Sequence, residues 1–529
     1  VTIAVALSAV IAQAQDIQYE KYKLDNGMTV ILHEDHSLPV AAINFWYHVG
    51  SKDEQVRRSG FAHLFEHLMF MGTERVPGSQ FDLIMEGGGG SNNASTSSDR
   101  TNYFSSGPRE LLPLLLWLDA DRLEDLARTM DQEKLDKQRD VVRNERRQSY
   151  ENAPYGKAEL KIQEMMYPPG HPYHIPVIGT HEDLEAATVA DVKDFFANYY
   201  VPRNVTLCVA GDFDAAQIKP LIAQLYGTLP PGADPDHRTA AAVKLDEVNR
   251  ATMLDKVQLP AISISYHSPA IFAEGDAEMD LVGSVLTDGK TSRLYKRLII
   301  DEQLAADVSA YQSSAMLGSE FRVTVLATPD ADLDRVEKIV DEELARFVKD
   351  GPTAQELEQR KATYELNMLR RLQSVLAKAD QLNAYNFHLG EPNSFKRDLD
   401  RYRNATPQGV RAWAEKVLTP HGRVIMRVLP EQPEKETSPR DDKPSLADTK
   451  TFEPRLPEEF KLSNGVSVLL WQKSELPLVA MTVLFNTGGI ITHTERAGSV
   501  YLAADMLDEG AGDLDALAFG DAMPALGAT

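Results

Sequence analysis

Two stretches of this chain repeat each other at a fixed spacing, and that repeat limits the folds open to it. Tyr22-Lys23-Leu24-Asp25-Asn26-Gly27-Met28-Thr29-Val30-Ile31-Leu32 recurs as Phe460-Lys461-Leu462-Ser463-Asn464-Gly465-Val466-Ser467-Val468-Leu469-Leu470, an offset of 438 residues. The same offset carries Leu38-Pro39 onto Leu476-Pro477 and Gly60 onto Gly498 without a gap. Self-similarity over this length means one structural unit built more than once. At 529 residues the chain is also too long for one compact domain, since domains run to ~150 residues each.

Turn chemistry and apolar spacing then set the elements. Asn26-Gly27, between a short polar lead and a β-rich run, marks a turn into a strand, and residues 40–49 form a second strand. Over residues 61–71 the apolar spacing becomes helical. Ser79 caps another helix, which the glycines at 87–90 end. Residues 92–96 and 101–105 read as strands joined at Asp99-Arg100, followed by helices over 109–127, 132–149 and 189–200 and a strand over 205–210. A second unit repeats the mixed pattern, with strands near 262–266, 321–326 and 424–429 and helices near 277–285, 333–349 and 354–372. The expected order is an α+β domain over 15–229, a linker over 230–249, a second α+β domain over 250–430, a Pro- and charge-rich linker over 431–457, and the incomplete start of a third unit over 458–529.

Residues 1–12 are apolar or small apart from Thr2 and Ser8, and Ala12-Gln13-Ala14 leads into polar sequence from Gln15. This is the pattern of a secretory signal core and its cleavage site, partial here over residues 1–14 and too short to span a bilayer. The expectation is export, to a bacterial periplasm or beyond, with no stable membrane span in the mature chain. Acidic residues outnumber basic ones 79 to 55, a formal net charge of −24. That balance repels phosphate backbones and argues against a nucleic-acid partner. The single cysteine, Cys208, lies in an apolar strand-like run and reads as core filling.

The chemistry concentrates in His63-Leu64-Phe65-Glu66-His67. Histidines four apart on a helix differ by only ~40° in azimuth, so both imidazoles can reach one cation. Glu66 projects close to the same face, near enough to hold a water without taking a coordination position. Zinc suits imidazole and carboxylate ligands and acidifies bound water, and a neighbouring carboxylate can take that proton and pass it to a leaving amine. A catalytic zinc needs a third protein ligand. Glu145 is the candidate, because Val141 and Val142, four and three residues before it, put it on the expected buried side of its helix; Glu133 and Glu151 fit less well. His171 and His174, among Pro168, Pro169, Gly170 and Pro172, read as loop residues.

The motif at 63–67, followed 78 residues later by Glu145, resembles the inverted zinc motif of the pitrilysin, insulin-degrading enzyme and mitochondrial processing peptidase family. The stretches 89–104 and 173–180 also look like family segments, the first like its substrate-edge strand. The resemblance implies two homologous halves of two α+β domains each, with mainly antiparallel sheets packed against helices around a chamber, and metal only in the first half. The offset of 438 agrees, carrying His63, Glu66 and His67 onto Tyr501, Ala504 and Asp505. It further implies that Asn93 and Ala94, with the strand through Thr96, accept an extended peptide by main-chain pairing. Many relatives carry a supporting glutamate seven residues before the third ligand; here Gln138 stands there, which implies altered tuning of the ligands and not loss of zinc. The family's second half supplies an arginine and a tyrosine for substrate and oxyanion, expected beyond Thr529.

The sequence therefore points to an exported zinc metalloendopeptidase with one Zn2+ per chain, Glu66 as general base, and peptides or unfolded segments as substrates. Two other readings stay open: a non-catalytic peptide-binding or assembly subunit of the same fold, and hydrolysis of a non-peptide amide by the same chemistry.

Overall fold

Strands that bury both faces read as unbroken apolar runs, and β6 is the clearest case. The computed structural model describes residues 17–431, 456–472, 479–486, 488 and 496–525, so the expected signal segment and most of the second linker lie outside the described residues. Two units follow each other along the chain, residues 1–434 and 435–529.

The first sheet contains β1 (Glu20–Lys23), β2 (Thr29–Glu34), β3 (Val40–Tyr47), β4 (Ser91–Thr96), β5 (Thr101–Pro108) and β6 (Val205–Gly211), in the order β1-β2-β6-β3-β5-β4. All neighbours are antiparallel except β2 and β6. Every residue of β6 is buried. Leu207 and Val209 join a core with helices α1 (Phe61–Leu68), α2 (Leu112–Thr129) and α3 (Gln132–Arg146). Cys208 and Ala210 point to the opposite layer. Burial pushes the Cys208 thiol well above its usual pKa, which suits an inert core residue.

The second sheet contains β7 (Val248–Asp255), β8 (Ala261–Ser268), β9 (Ala305–Ser313), β10 (Ser319–Ala327) and β11 (Arg423–Pro430), in the order β7-β11-β8-β10-β9. Helix α4 (Leu333–Asp350) buries Val336, Ile339, Val340, Leu344 and Phe347, a stripe with helical spacing. Helix α5 (Val375–Leu389) returns to cover the back of the first sheet. Its Ala379, Leu382 and Tyr385 pack with Ile31, Cys208 and Ala210. Asp380 Oδ1 accepts hydrogen bonds from Asn44 Nδ2 (2.9 Å), Trp46 Nε1 (3.0 Å) and Asn102 Nδ2 (3.2 Å). The fold is α+β, with sheets antiparallel in the main and helices on their faces.

In the second unit, β12 (Glu458–Lys461) and β13 (Ser467–Leu470) pair Glu458 with Leu470, as β1 and β2 pair Glu20 with Leu32. Gly465 and Gly27 take φ +88° and +90° at the same turn. Gly498, at φ +86°, precedes helix α6 (Ser499–Asp505) as Gly60, at φ +82°, precedes α1. The sequence repeat is thus a repeat of backbone geometry.

Some boundaries differ from expectation. Helix α1 stops at Leu68, and the helix expected over 132–149 is α-helical only to Arg146, followed by a wider turn, Arg147–Glu151. Strand β7 begins at Val248, inside the expected linker.

Candidate metal centre

Helix α1 carries the motif, and its start is fixed by two devices. Gly60 sits in the left-handed region, where a Cβ would come within 2.9 Å of the Ile178 carbonyl oxygen. A glycine at this position has no side chain with which to cap the helix. The buried Glu54 caps it instead: its carboxylate accepts the Gly60 N–H (2.9 Å) and the Ala62 N–H (2.8 Å). Burial raises the Glu54 pKa well above the usual carboxylate range, and these two hydrogen bonds oppose the rise. Leu64, Phe65 and Leu68 face the core, which turns the half-buried His63, Glu66 and His67 to the other side of the helix.

Across from them, α3 presents Glu145. His67 Nε2 lies 3.3 Å and His63 Nε2 3.7 Å from Glu145 Oε2, and the two imidazoles stand nearly perpendicular with centroids 4.8 Å apart. Two nitrogens and a carboxylate oxygen thus fall within 4.8 Å of one another, the one such group among the described residues. Ligands ~2.1 Å from a tetrahedral zinc stand ~3.4 Å apart, so the donor set and spacing fit that ion. The other ring nitrogen of His63, Nδ1, is buried and has no hydrogen-bond partner among the described residues. Burial, and then the neighbouring His67, lower the His63 pKa to about 4, against the pull of Glu145. At neutral pH its ring is uncharged and keeps the lone pair that a metal requires.

Glu145 reaches this position differently from the expectation. Val142 is buried but Val141 is 40% exposed, and the Glu145 side chain is itself 41% exposed. The apolar seam of α3 runs through Leu135 and Val142, and Glu145 borders it. The hydrogen bond from His67 holds its pKa below the usual carboxylate value, with burial opposing. Glu151 is engaged elsewhere, with His181 (2.8 Å) and Arg146 (3.2 Å).

Glu66 is held by one hydrogen bond, from Thr96 Oγ1 to its Oε2 (2.5 Å). Burial raises its pKa, with the Thr96 hydrogen bond opposing. Asn93, Ala94 and Thr96 all lie on β4, the outer strand of the sheet, which among the described residues pairs with β5 alone. The Ala94 N–H is taken up by the Asn93 Oδ1 (2.8 Å), so this edge is partly satisfied by its own side chain. Gln138 donates its side-chain amide to Met71 Sδ (2.7 Å). His171 and His174 lie in a loop, His171 stacked on Tyr167 and His174 Nδ1 bonded to the Tyr167 carbonyl (2.6 Å).

His63, Glu66, His67 and Glu145 all fall within residues 29–171, which match the family model described as Insulinase (Peptidase family M16); residues 186–364 match that described as Peptidase M16 inactive domain. The chain belongs to the insulinase family of peptidases. Among its family relatives is a zinc protease of Helicobacter pylori, 27% identical over 370 residues, covering 69% of this chain and 82% of the relative. A protease structure from Helicobacter pylori superposes with a TM-score of 0.73 at 25% identity, covering 78% of this insulinase-family chain and 99% of that one. The periplasmic protease PqqL of Escherichia coli shares the fold at 18% identity and a TM-score of 0.66, covering 97% of this chain and 62% of that one.

Sequence reasoning missed Glu54 and the side-chain role of Thr96. No local signal announced Glu54: Ser59 beside Gly60 looks like the cap, yet its hydroxyl is bonded to Asp183 Oδ2 (2.5 Å) and the helix N–H groups go to Glu54.

Proposed function

We propose that this protein is a zinc metalloendopeptidase, exported to a periplasm or beyond, that hydrolyses peptides or unfolded polypeptide segments. The observation that carries this reading is the convergence of His63, His67 and Glu145 with Glu66 held beside them. The name of the Helicobacter relative, a zinc protease, supports both the metal and the reaction class. Export rests on the signal-like pattern of residues 1–14. Among the described residues no helix is long and apolar enough to cross a membrane.

His63 and His67 donate ring nitrogens and Glu145 a carboxylate oxygen to the metal. Zinc, when bound, supplies Lewis acidity that makes water a nucleophile at neutral pH and polarises the scissile carbonyl. Glu66 takes the proton from the attacking water and delivers it to the leaving amine nitrogen; its raised pKa fits a group that must first accept and then give up a proton. The outer strand β4, through Asn93, Ala94 and Thr96, aligns an extended peptide by main-chain pairing. For the Ala94 N–H to join that pairing, the Asn93 carboxamide swings off it.

Glu66→Gln tests the reaction. The variant should keep its zinc and lose ~100-fold or more in peptide cleavage. Unchanged cleavage defeats the mechanism. Zinc without cleavage in the unaltered protein, across a peptide panel, favours the non-catalytic subunit. Cleavage confined to small amides moves the substrate class.

A further inference from the structure

Glu66 makes one hydrogen bond among the described residues, and the donor does not come from its own helix. Thr96 closes β4 and pairs with Thr101 at the head of the β4–β5 hairpin. Its branched side chain has few χ1 choices, so the direction of its hydroxyl follows the strand backbone. That backbone is braced from several sides. Ser97 N–H donates to the Arg100 carbonyl (2.8 Å), Ser51 N–H to the Ser97 carbonyl (3.2 Å), and Lys52 N–H to the Ser98 carbonyl (2.9 Å). Arg100 Nη1 donates to Ser95 O (2.8 Å), Ser95 Oγ (2.6 Å) and Asn102 Oδ1 (3.1 Å), with its guanidinium 5.1 Å over the Trp46 ring. Asp99 at the turn accepts from the Tyr173 hydroxyl (2.6 Å) and from the Met316 N–H (2.9 Å), the latter from the loop joining β9 and β10 of the second sheet.

We infer that Thr96 is a positioning residue for Glu66: its hydroxyl, fixed by the braced hairpin, pins one carboxylate oxygen and leaves Oε1 free for the reacting water and amine. The inference rests on the reading of Glu66 as general base. It gives Thr96 two separate tasks, with its backbone on the peptide-accepting edge and its side chain turned to the carboxylate. Without the hydroxyl, the Glu66 side chain regains rotamers that the reaction cannot use. Small misplacements of this kind cost up to ~100-fold in rate.

Thr96→Val removes the donor at nearly constant shape. Expected is a fall in kcat of ~10–100-fold, with KM within about twofold and zinc content unchanged, and recovery of most of the loss in Thr96→Ser. Adding Thr96→Val to Glu66→Gln should slow residual cleavage no further. A readout independent of turnover comes from urea denaturation of the metal-free protein, where Thr96→Val and Glu66→Ala, each of which removes the contact, should be less than additive. If Glu66→Gln abolishes cleavage while Thr96→Val keeps its kcat, the positioning role is overturned and the general base stands. If Glu66→Gln cleaves normally, the general base fails and the positioning role falls with it, while the urea cycle reports whether the contact exists. Additive denaturation effects overturn the contact and the inference together.

Discussion

Removing the Asp119 carboxylate should destabilise the first α+β layer more than any exposed ion pair could. Asp119 and Arg122, one turn apart on α2, are each 3% exposed. Arg122 directs both Nε (2.8 Å) and Nη2 at the single oxygen Oδ1, and its guanidinium lies 4.7, 5.0 and 5.3 Å from the centres of the Tyr103, Phe81 and Phe70 rings. Its Nη1 has no hydrogen-bond partner among the described residues. Asp119→Ala therefore leaves a buried cation with only ring faces to stabilise it. Breaking a buried pair from one side costs ~3–5 kcal/mol, and the three ring contacts, at up to ~1–2 kcal/mol each, bring the expectation to the lower end, ~3 kcal/mol. With an m-value of ~3 kcal/mol/M in urea, the unfolding midpoint should fall by ~1 M, followed by far-UV circular dichroism. The double change Asp119→Leu with Arg122→Met removes both charges and keeps the volume, so it should return to within ~1 kcal/mol of the starting protein. A midpoint for Asp119→Ala within ~0.2 M of the unaltered protein refutes the reasoning, and so does a double variant as unstable as the single one.

Three further outcomes follow from the same geometry. Glu145→Ala should reduce zinc from about one per chain to a small fraction by elemental analysis, since it removes one of the three proposed ligands; full retention would transfer the role to another carboxylate. Glu54→Ala removes the cap of α1, which should cost ~1–2 kcal/mol in urea unfolding and weaken zinc affinity ~10-fold by loosening the ligand helix; unaltered affinity would separate the cap from the site. Burial holds the Asp280 carboxyl up at about 7, with the Tyr402 hydroxyl (2.6 Å) opposing. A carboxyl with a raised folded pKa contributes its stability in full below pH ~4 and loses it as pH rises through ~7, at most ~4 kcal/mol. Asp280→Asn cannot ionise, so it should raise the denaturation midpoint at about pH 8 and leave it unmoved near pH 4; an equal effect at both would contradict this origin.

The parts of this molecule that were legible in the sequence are those whose geometry is local. Helical spacing alone puts His63 and His67 on one face, and the turn glycines at 27 and 465 announce their strands. The parts that were not legible depend on contacts between distant segments. Glu145 reaches the histidines although Val141, used to argue its burial, is exposed. Helix α5 lies on the first sheet through Asp380 and Asn383, more than 330 residues from Asn44. No local pattern announces that placement, because the polar residues that dock it look like an ordinary solvated face. Gln138 lies two helical turns from Glu145, yet its amide is claimed by Met71, a partner that spacing alone does not reveal.

Gly60 and Gly498 start two helices with nearly the same backbone angle, yet only the first is followed by His63, Glu66 and His67; the second is followed by Tyr501, Ala504 and Asp505. The start of the helix is specified by a glycine, and the proposed metal chemistry by three side chains on its outward face. These are different positions obeying different physical demands. The helix is therefore a socket: its glycine start is independent of those three positions, and within one chain it stands once with two histidines and a glutamate and once without them.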